Sequence, residues 1–223
     1  MGFISIGKMP ERDYFVQTEL DRLRVNIGFL GSEKKVLMIT SSEPNEGKSY
    51  VSFNLWDELA NSGKLVCHVD LDMRKSVTRR ELQLSVHNDM FYGITHYLSG
   101  QCAAEEILYR TNRENGYMIP TATTIVNPSI LFEGNILSSL IASLRETFDY
   151  VILDTPPIGV VSDGQLIGKY SDGCILVVRA HHTTRSAVRN AMMHLKSANC
   201  PVLGIVLNRV EAKKSGGYYT SYK

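Results

Sequence analysis

An apolar run, Val36–Thr40 (VLMIT), leads without a spacer into SSEPNEGKS, and a helical pattern starts at Lys48. Gly47-Lys48-Ser49 closes a G-x-x-x-x-G-K-[ST] phosphate loop, a motif that works only between a strand end and a helix start. There the unpaired backbone N–H groups and the positive end of the helix dipole face an anion. The candidate nucleotide-binding residues are therefore Ser42, Glu43, Pro44, Asn45, Glu46, Gly47, Lys48, Ser49 and Tyr50. Lys48 offers a point charge to the β- and γ-phosphates, and the Ser49 hydroxyl offers a ligand to Mg²⁺. Two positions depart from the usual pattern. Ser42 stands where the motif has its first glycine, which is tolerable because backbone groups do the binding. Tyr50 puts a bulky phenol where a small hydroxyl often meets the α-phosphate.

The rest of the chain repeats the same grammar. Leu65–Asp70, Tyr150–Asp154, Cys174–Val178 and Val202–Leu207 are further apolar runs without polar alternation. Such runs mark strands buried on both faces, as in a parallel sheet. Helical stretches are expected at about 12–30, 48–62, 129–147, 162–170 and 184–199. Strands alternating with helices imply an α/β fold with a central, mostly parallel sheet and helices on both faces. Residues 76–128 are harder to assign, with short helices at GITHYLSG and AAEEILYRT and a short strand at YMIP.

Two of these strands end in acids, at Asp70-Leu71-Asp72 and at Asp154. Parallel strand ends share the ligand-binding edge of the sheet, so Asp70, Asp72 and Asp154 should converge on the phosphate loop. Mg²⁺ takes hard oxygen ligands, and phosphoryl transfer needs a carboxylate to orient or deprotonate the nucleophile. No Ser/His/Asp or Cys/His spacing suggests a nucleophile set.

At 223 residues, with 24 Lys+Arg against 23 Asp+Glu for a net charge of +1, the chain lacks the basic excess of a dedicated nucleic-acid binder. No apolar run reaches the ~18–20 residues of a membrane span. The start, MGFISIGKMPERD, lacks the apolar core of a signal peptide. Cys67, Cys102, Cys174 and Cys200 form no C-x-x-C pair and fit reduced, packed thiols. A cytoplasmic protein is expected.

The set SSEPNEGKS, HVDLDMRKS, FDYVILDTPPIG, SDG…LVVRA and VLGIVLNRV, followed by a tyrosine-rich tail, resembles the bacterial tyrosine kinases of capsule and exopolysaccharide synthesis. The likeness runs from about residue 18 to the C-terminus, and its D-x-D-x-R motif and terminal tyrosines are its most specific parts. The resemblance implies a P-loop kinase using ATP and Mg²⁺, with Lys48 and Ser49 on phosphate and metal. It implies Mg²⁺ support from Asp72 and Asp154, Asp70 as the base, and Arg74 near the phosphates or the acceptor. Asn208 and Arg209 would lie near the adenine. The implied organisation is a kinase domain over 1–210 and a mobile tail over 211–223 carrying the phosphoacceptors Tyr218, Tyr219 and Tyr222. The implied partners are a membrane adaptor of the polysaccharide co-polymerase type, other copies of the chain and other tyrosine-containing proteins. The adaptor would hold a stand-alone enzyme at the inner face of the membrane.

Several positions depart from the family. The Glu-x-x-Arg-x-x-Arg stretch used in self-assembly is out of register, with Thr18, Asp21 and Arg24 at the matching places, and Ser76 replaces a frequent Pro. Two other readings compete with a kinase. One is a nucleotide-bound scaffold with little catalysis, suggested by Tyr50. The other is a partition-type ATPase switch, against which stands Glu43, at the position of that group's signature Lys. Among the remaining features, His181-His182 reads as a surface loop, Trp56 as a packing group and Met192-Met193 as core.

Overall fold

The computed structural model describes residues 1–86 and 90–211. The strands are β1 (Gly2–Ile6), β2 (Val36–Ser41), β3 (Val66–Asp70), β4 (Leu84–Val86), β5 (Tyr109–Thr111), β6 (Gly116–Ile119), β7 (Tyr150–Asp154), β8 (Gly173–Arg179) and β9 (Val202–Asn208). They form one sheet in the order β4-β1-β5-β6-β3-β7-β2-β8-β9. Every pairing is parallel except β1 with β4 and β5 with β6. The helices are α1 (Tyr14–Gly28), α2 (Lys48–Asn61), α3 (Thr78–Glu81), α4 (Ile94–Leu98), α5 (Ala104–Ile107), α6 (Ser129–Glu133), α7 (Asn135–Thr147), α8 (Asp163–Gly168) and α9 (Arg185–Ser197).

The apolar runs of β2, β3, β7 and β8 are almost wholly buried, because helices cover both faces. On one face, α1 and α2 pack Ile27, Val51, Phe53 and Leu55 against Leu37, Ile39 and Ile152. On the other, α4 to α8 pack Ile94, Phe132, Leu137 and Ile167 against Val69, Val151 and Leu153, and α9 adds Ala191 and Leu195 over Met38 and Leu176. Trp56 is fully buried, as its packing role requires, and its indole N–H donates to the Tyr117 carbonyl at 3.1 Å. Cys67, Cys174 and Cys200 are buried free thiols, and Cys102 is half-buried.

The structure corrects four expectations. The expected helix over 129–147 breaks at Gly134, whose ψ of 172° is extended, into α6 and α7. AAEEILYRT is a helix only to Ile107 and then becomes β5. β9 is not buried on both faces: it is the sheet edge, paired only to β8, and leaves Ile205 and Leu207 exposed. Met192 and Met193 are also exposed, because α9 buries Ala191 and Leu195 instead. His181 and His182 lie on the surface as expected.

Candidate active site

The parallel registers build the site. Asp154 lies beside Asp70 on one neighbouring strand and beside Ile39 on the other. Two residues beyond Ile39, β2 ends and the phosphate loop begins. Three carboxylates far apart in sequence are thus gathered at one strand edge, beneath the N-terminus of α2.

The loop is held by its own side chains. Glu46 is fully buried, and its carboxylate accepts from the Glu43 N–H at 2.9 Å and from the Thr183 hydroxyl. The Ser41 hydroxyl donates to the Glu43 carbonyl at 2.7 Å. Gly47 has φ of +93°, and a Cβ there would lie 2.1 Å from the Asn208 amide nitrogen, so only glycine fits. Gly159 packs closely against the start of the loop, where a Cβ would lie 2.3 Å from the Ser42 carbonyl oxygen. Pro44 and Asn45 complete the turn, with Asn45 at φ of 64°.

The Lys48 ammonium donates to Asp72 Oδ2 at 2.7 Å, with both side chains largely buried. Burial alone would favour the neutral amine, but Asp154, Asp72 and Asp70 outweigh it and hold the ammonium above its usual range. Burial pushes Asp154 up to about 7, with Asp70 and Asp72 adding to the rise while Lys48 and the Ser49 hydroxyl pull the other way. Asp154 Oδ1 finds no hydrogen-bond partner among the described residues. An orphaned buried carboxylate oxygen of this kind fits a cation ligand. Asp154 and the Ser49 hydroxyl could hold Mg²⁺, whereas both Asp72 oxygens accept hydrogen bonds here, Oδ2 from Lys48 and Oδ1 from the Lys75 N–H.

Asp70 is the most enclosed of the three, with 0 % exposure. Its Oδ2 accepts from the Ser76 and Thr78 hydroxyls, and its Oδ1 accepts from the Asp72 N–H at 3.2 Å. Burial raises its pKa despite those two hydroxyls. Ser76, noted as a departure from the family, thus has a specific partner.

Arg74 and Asn208 each have specific partners. Arg74 is not free beside the phosphates: its guanidinium pairs with the fully buried Asp163 at 2.5 Å and donates to the Val126 carbonyl at 2.5 Å. A buried carboxylate needs a counter-charge, and Arg74 supplies it while remaining close enough to Asp72 to feel its field. Asn208 is committed to the phosphate loop, donating to the Glu46 carbonyl at 2.9 Å, and its Oδ1 accepts from the Arg209 N–H. Arg209 is exposed and lines the cleft over the loop. Tyr50 lines the cleft, and its hydroxyl donates to the Glu11 carbonyl at 3.0 Å. Tyr218, Tyr219 and Tyr222 lie outside the described residues. Sequence inspection missed Thr183, Asp163 and the residues before α1, because each reaches the site from a distant segment without a motif, and it missed Thr78, only eight residues after Asp70, because no motif marks it.

A model of the AAA domain family matches residues 34–199. The tyrosine-protein kinase CpsD of Streptococcus agalactiae is 35% identical over 201 residues, covering 90% of this chain and 86% of that one. The chain belongs to the bacterial tyrosine kinases. Among solved structures, the chimerical protein CapA2B2 superposes with a TM-score of 0.82 at 26% identity, covering 92% of each chain. The septum site-determining protein MinD of Pyrococcus horikoshii, complexed with Mg-ADP, reaches a TM-score of 0.64 at 25% identity, over 79% of this chain and 72% of that one. This kinase therefore resembles the MinD structure in fold, and the CapA2B2 structure more closely.

Proposed function

We propose that this chain is an ATP-dependent protein-tyrosine kinase that phosphorylates the tyrosines of its own C-terminal segment between molecules. Its role would be to regulate capsular or exopolysaccharide synthesis and export. The observation that carries the reading is the Lys48 ammonium set among Asp70, Asp72 and Asp154 at the phosphate loop. In this arrangement the loop N–H groups and Lys48 bind the nucleotide phosphates. Ser49 and Asp154 would hold Mg²⁺, which neutralises charge on the transferring phosphoryl group when bound. Asp70 would accept the proton of the acceptor phenol after exchanging its Ser76 and Thr78 donors, and its raised pKa suits a group that must hold a proton.

The proposed organisation is a kinase domain over 1–210 with the acceptor segment at 211–223. Residues 209–222 span at most about 46–50 Å when extended. A domain of this size is about 45 Å across, so the segment can reach the site of a touching neighbour, whereas its own site demands a sharp reversal. Once phosphorylated, the tail would be repelled by the acidic site and released. No helix among the described residues is long and apolar enough to cross a membrane. A cytoplasmic enzyme held at the inner membrane face by an adaptor of the polysaccharide co-polymerase type is the proposed setting.

The experiment mixes a Lys48→Met chain that keeps its tail with an active chain lacking residues 215–223. Phosphate is expected on Tyr218, Tyr219 or Tyr222 of the inactive chain. An unmodified inactive chain, together with wild-type labelling at a rate independent of concentration, would show transfer within one molecule.

A further inference from the structure

The segment before α1 is built into the active site. β1 is an interior strand, paired to β4 on one side and β5 on the other. Immediately after it, the N–H groups of Gly7 and Lys8 both donate to the Leu82 carbonyl, at 3.1 and 3.2 Å. The chain then passes the mouth of the phosphate cleft. Lys8, Pro10 and Glu11 line the same cavity of about 620 Å³ as Lys48, Ser49 and Arg209.

At its far end this strap is clamped to α2. The Arg12 guanidinium donates to Asn54 Oδ1, Glu58 Oε1 and Asp57 Oδ2, the last at 2.6 Å, and reaches Gln17 of α1 at 3.4 Å. Its side chain is only 13% exposed. Glu11, the residue before it, takes the Tyr50 hydroxyl. The backbone carrying Lys8 is therefore anchored on both sides, at the Leu82 carbonyl and at α2. Lys8 forms no ion pair among the described residues, whereas Arg80, on the same cavity, is paired with Glu81.

We propose that Lys8 is a second phosphate-binding cation of this site, carried over the cleft on a strap that Arg12 holds against the phosphate-loop helix. The inference rests on the reading of the cleft as an ATP site. Charge decides which ligand the lysine meets. The acceptor segment is itself basic, with Lys213, Lys214 and Lys223, and would be repelled. The phosphates of a nucleoside triphosphate would be attracted. Lys8 would touch the nucleotide, and Arg12 would be a positioning residue.

The test measures equilibrium binding of Mg·ATP, Mg·ADP and adenosine to the full chain. Lys8→Met is expected to weaken ATP by about 5-fold, ADP by less and adenosine not at all, with KM for ATP raised and kcat nearly unchanged. Lys8→Arg should restore most of the affinity. Truncating Arg12 would take a shared counter-charge from the buried Asp57 and Glu58, leaving Arg113 on the first and Gln17 on the second, so the clamp is loosened with Arg12→Lys and folding is checked by circular dichroism. Arg12→Lys should reproduce much of the Lys8→Met loss, and combining the two should add little. Unchanged ATP affinity in Lys8→Met, while Lys48→Met weakens it, overturns the proposal and leaves the ATP site standing. If Lys48→Met also binds ATP normally, the site reading falls and the proposal with it. Full additivity of the two strap substitutions would remove Arg12 from the account.

Discussion

Replacing Lys48 by Met is expected to lower tyrosine phosphorylation by about 10³-fold in purified protein. The reason is electrostatic. The three aspartates at the site are 0 to 5 % exposed, and the Lys48 ammonium is bonded to one of them at 2.7 Å. Without it, a triphosphate would meet three carboxylates that have lost this cation, and the phosphoryl group would lose a positioned charge in transit. The fold should survive, because the carboxylates can take up protons in place of the lost cation. The measurement is anti-phosphotyrosine signal and intact mass at matched circular dichroism. A loss below 10-fold would show that Lys48 is not part of the chemistry.

Asp154→Asn should be nearly as damaging to activity, and it should also change the response to pH. Asp154 titrates at about 7 because burial opposes its charge. The folded state thus holds this proton more tightly than the unfolded chain. The associated stability is present below the ordinary carboxylate range and is lost as pH rises through about 7. Binding of Mg²⁺ needs the ionised form, so Mg·ATP should stabilise the wild-type protein more at pH 8 than at pH 6. Thermal melts at the two pH values, with and without Mg·ATP, provide the check. In Asp154→Asn both the apo decline and the pH-dependent gain should shrink. Parallel curves for the two proteins would move the titrating group elsewhere.

The strands that carry the site were legible in the sequence for a physical reason. β2, β3, β7 and β8 are covered on both faces, so their apolar runs show no alternation. Once those strands were recognised as parallel, the convergence of Asp70, Asp72 and Asp154 followed from sheet geometry alone. β4 and β5 were not legible, being only three residues long, nor was β1, which buries only Ile4 and Ile6 and so shows no continuous apolar run. The break at Gly134 was missed because apolar residues continue on either side of it. The side chains that brace the site were also hidden. Thr183 on Glu46, Asp163 on Arg74 and Arg12 on α2 are contacts 137, 89 and 42 to 46 residues apart in sequence. A motif records the residues that touch a ligand, while the groups that keep those residues in place come from anywhere in the chain.

Asn208 is the final residue of β9, and its side chain is also the prop on which Gly47 and the Glu46 carbonyl rest. The point where the polypeptide leaves the sheet and the point where the nucleotide loop is kept in shape are therefore one side chain. Under the proposed transfer between molecules, a pull on the chain beyond Arg209 would bear on this prop. Linkage is reciprocal: if capture alters the hold on the loop, then nucleotide in the loop must alter the ease of capture by the same factor. A molecule serving as acceptor would thereby report its service to its own catalytic centre.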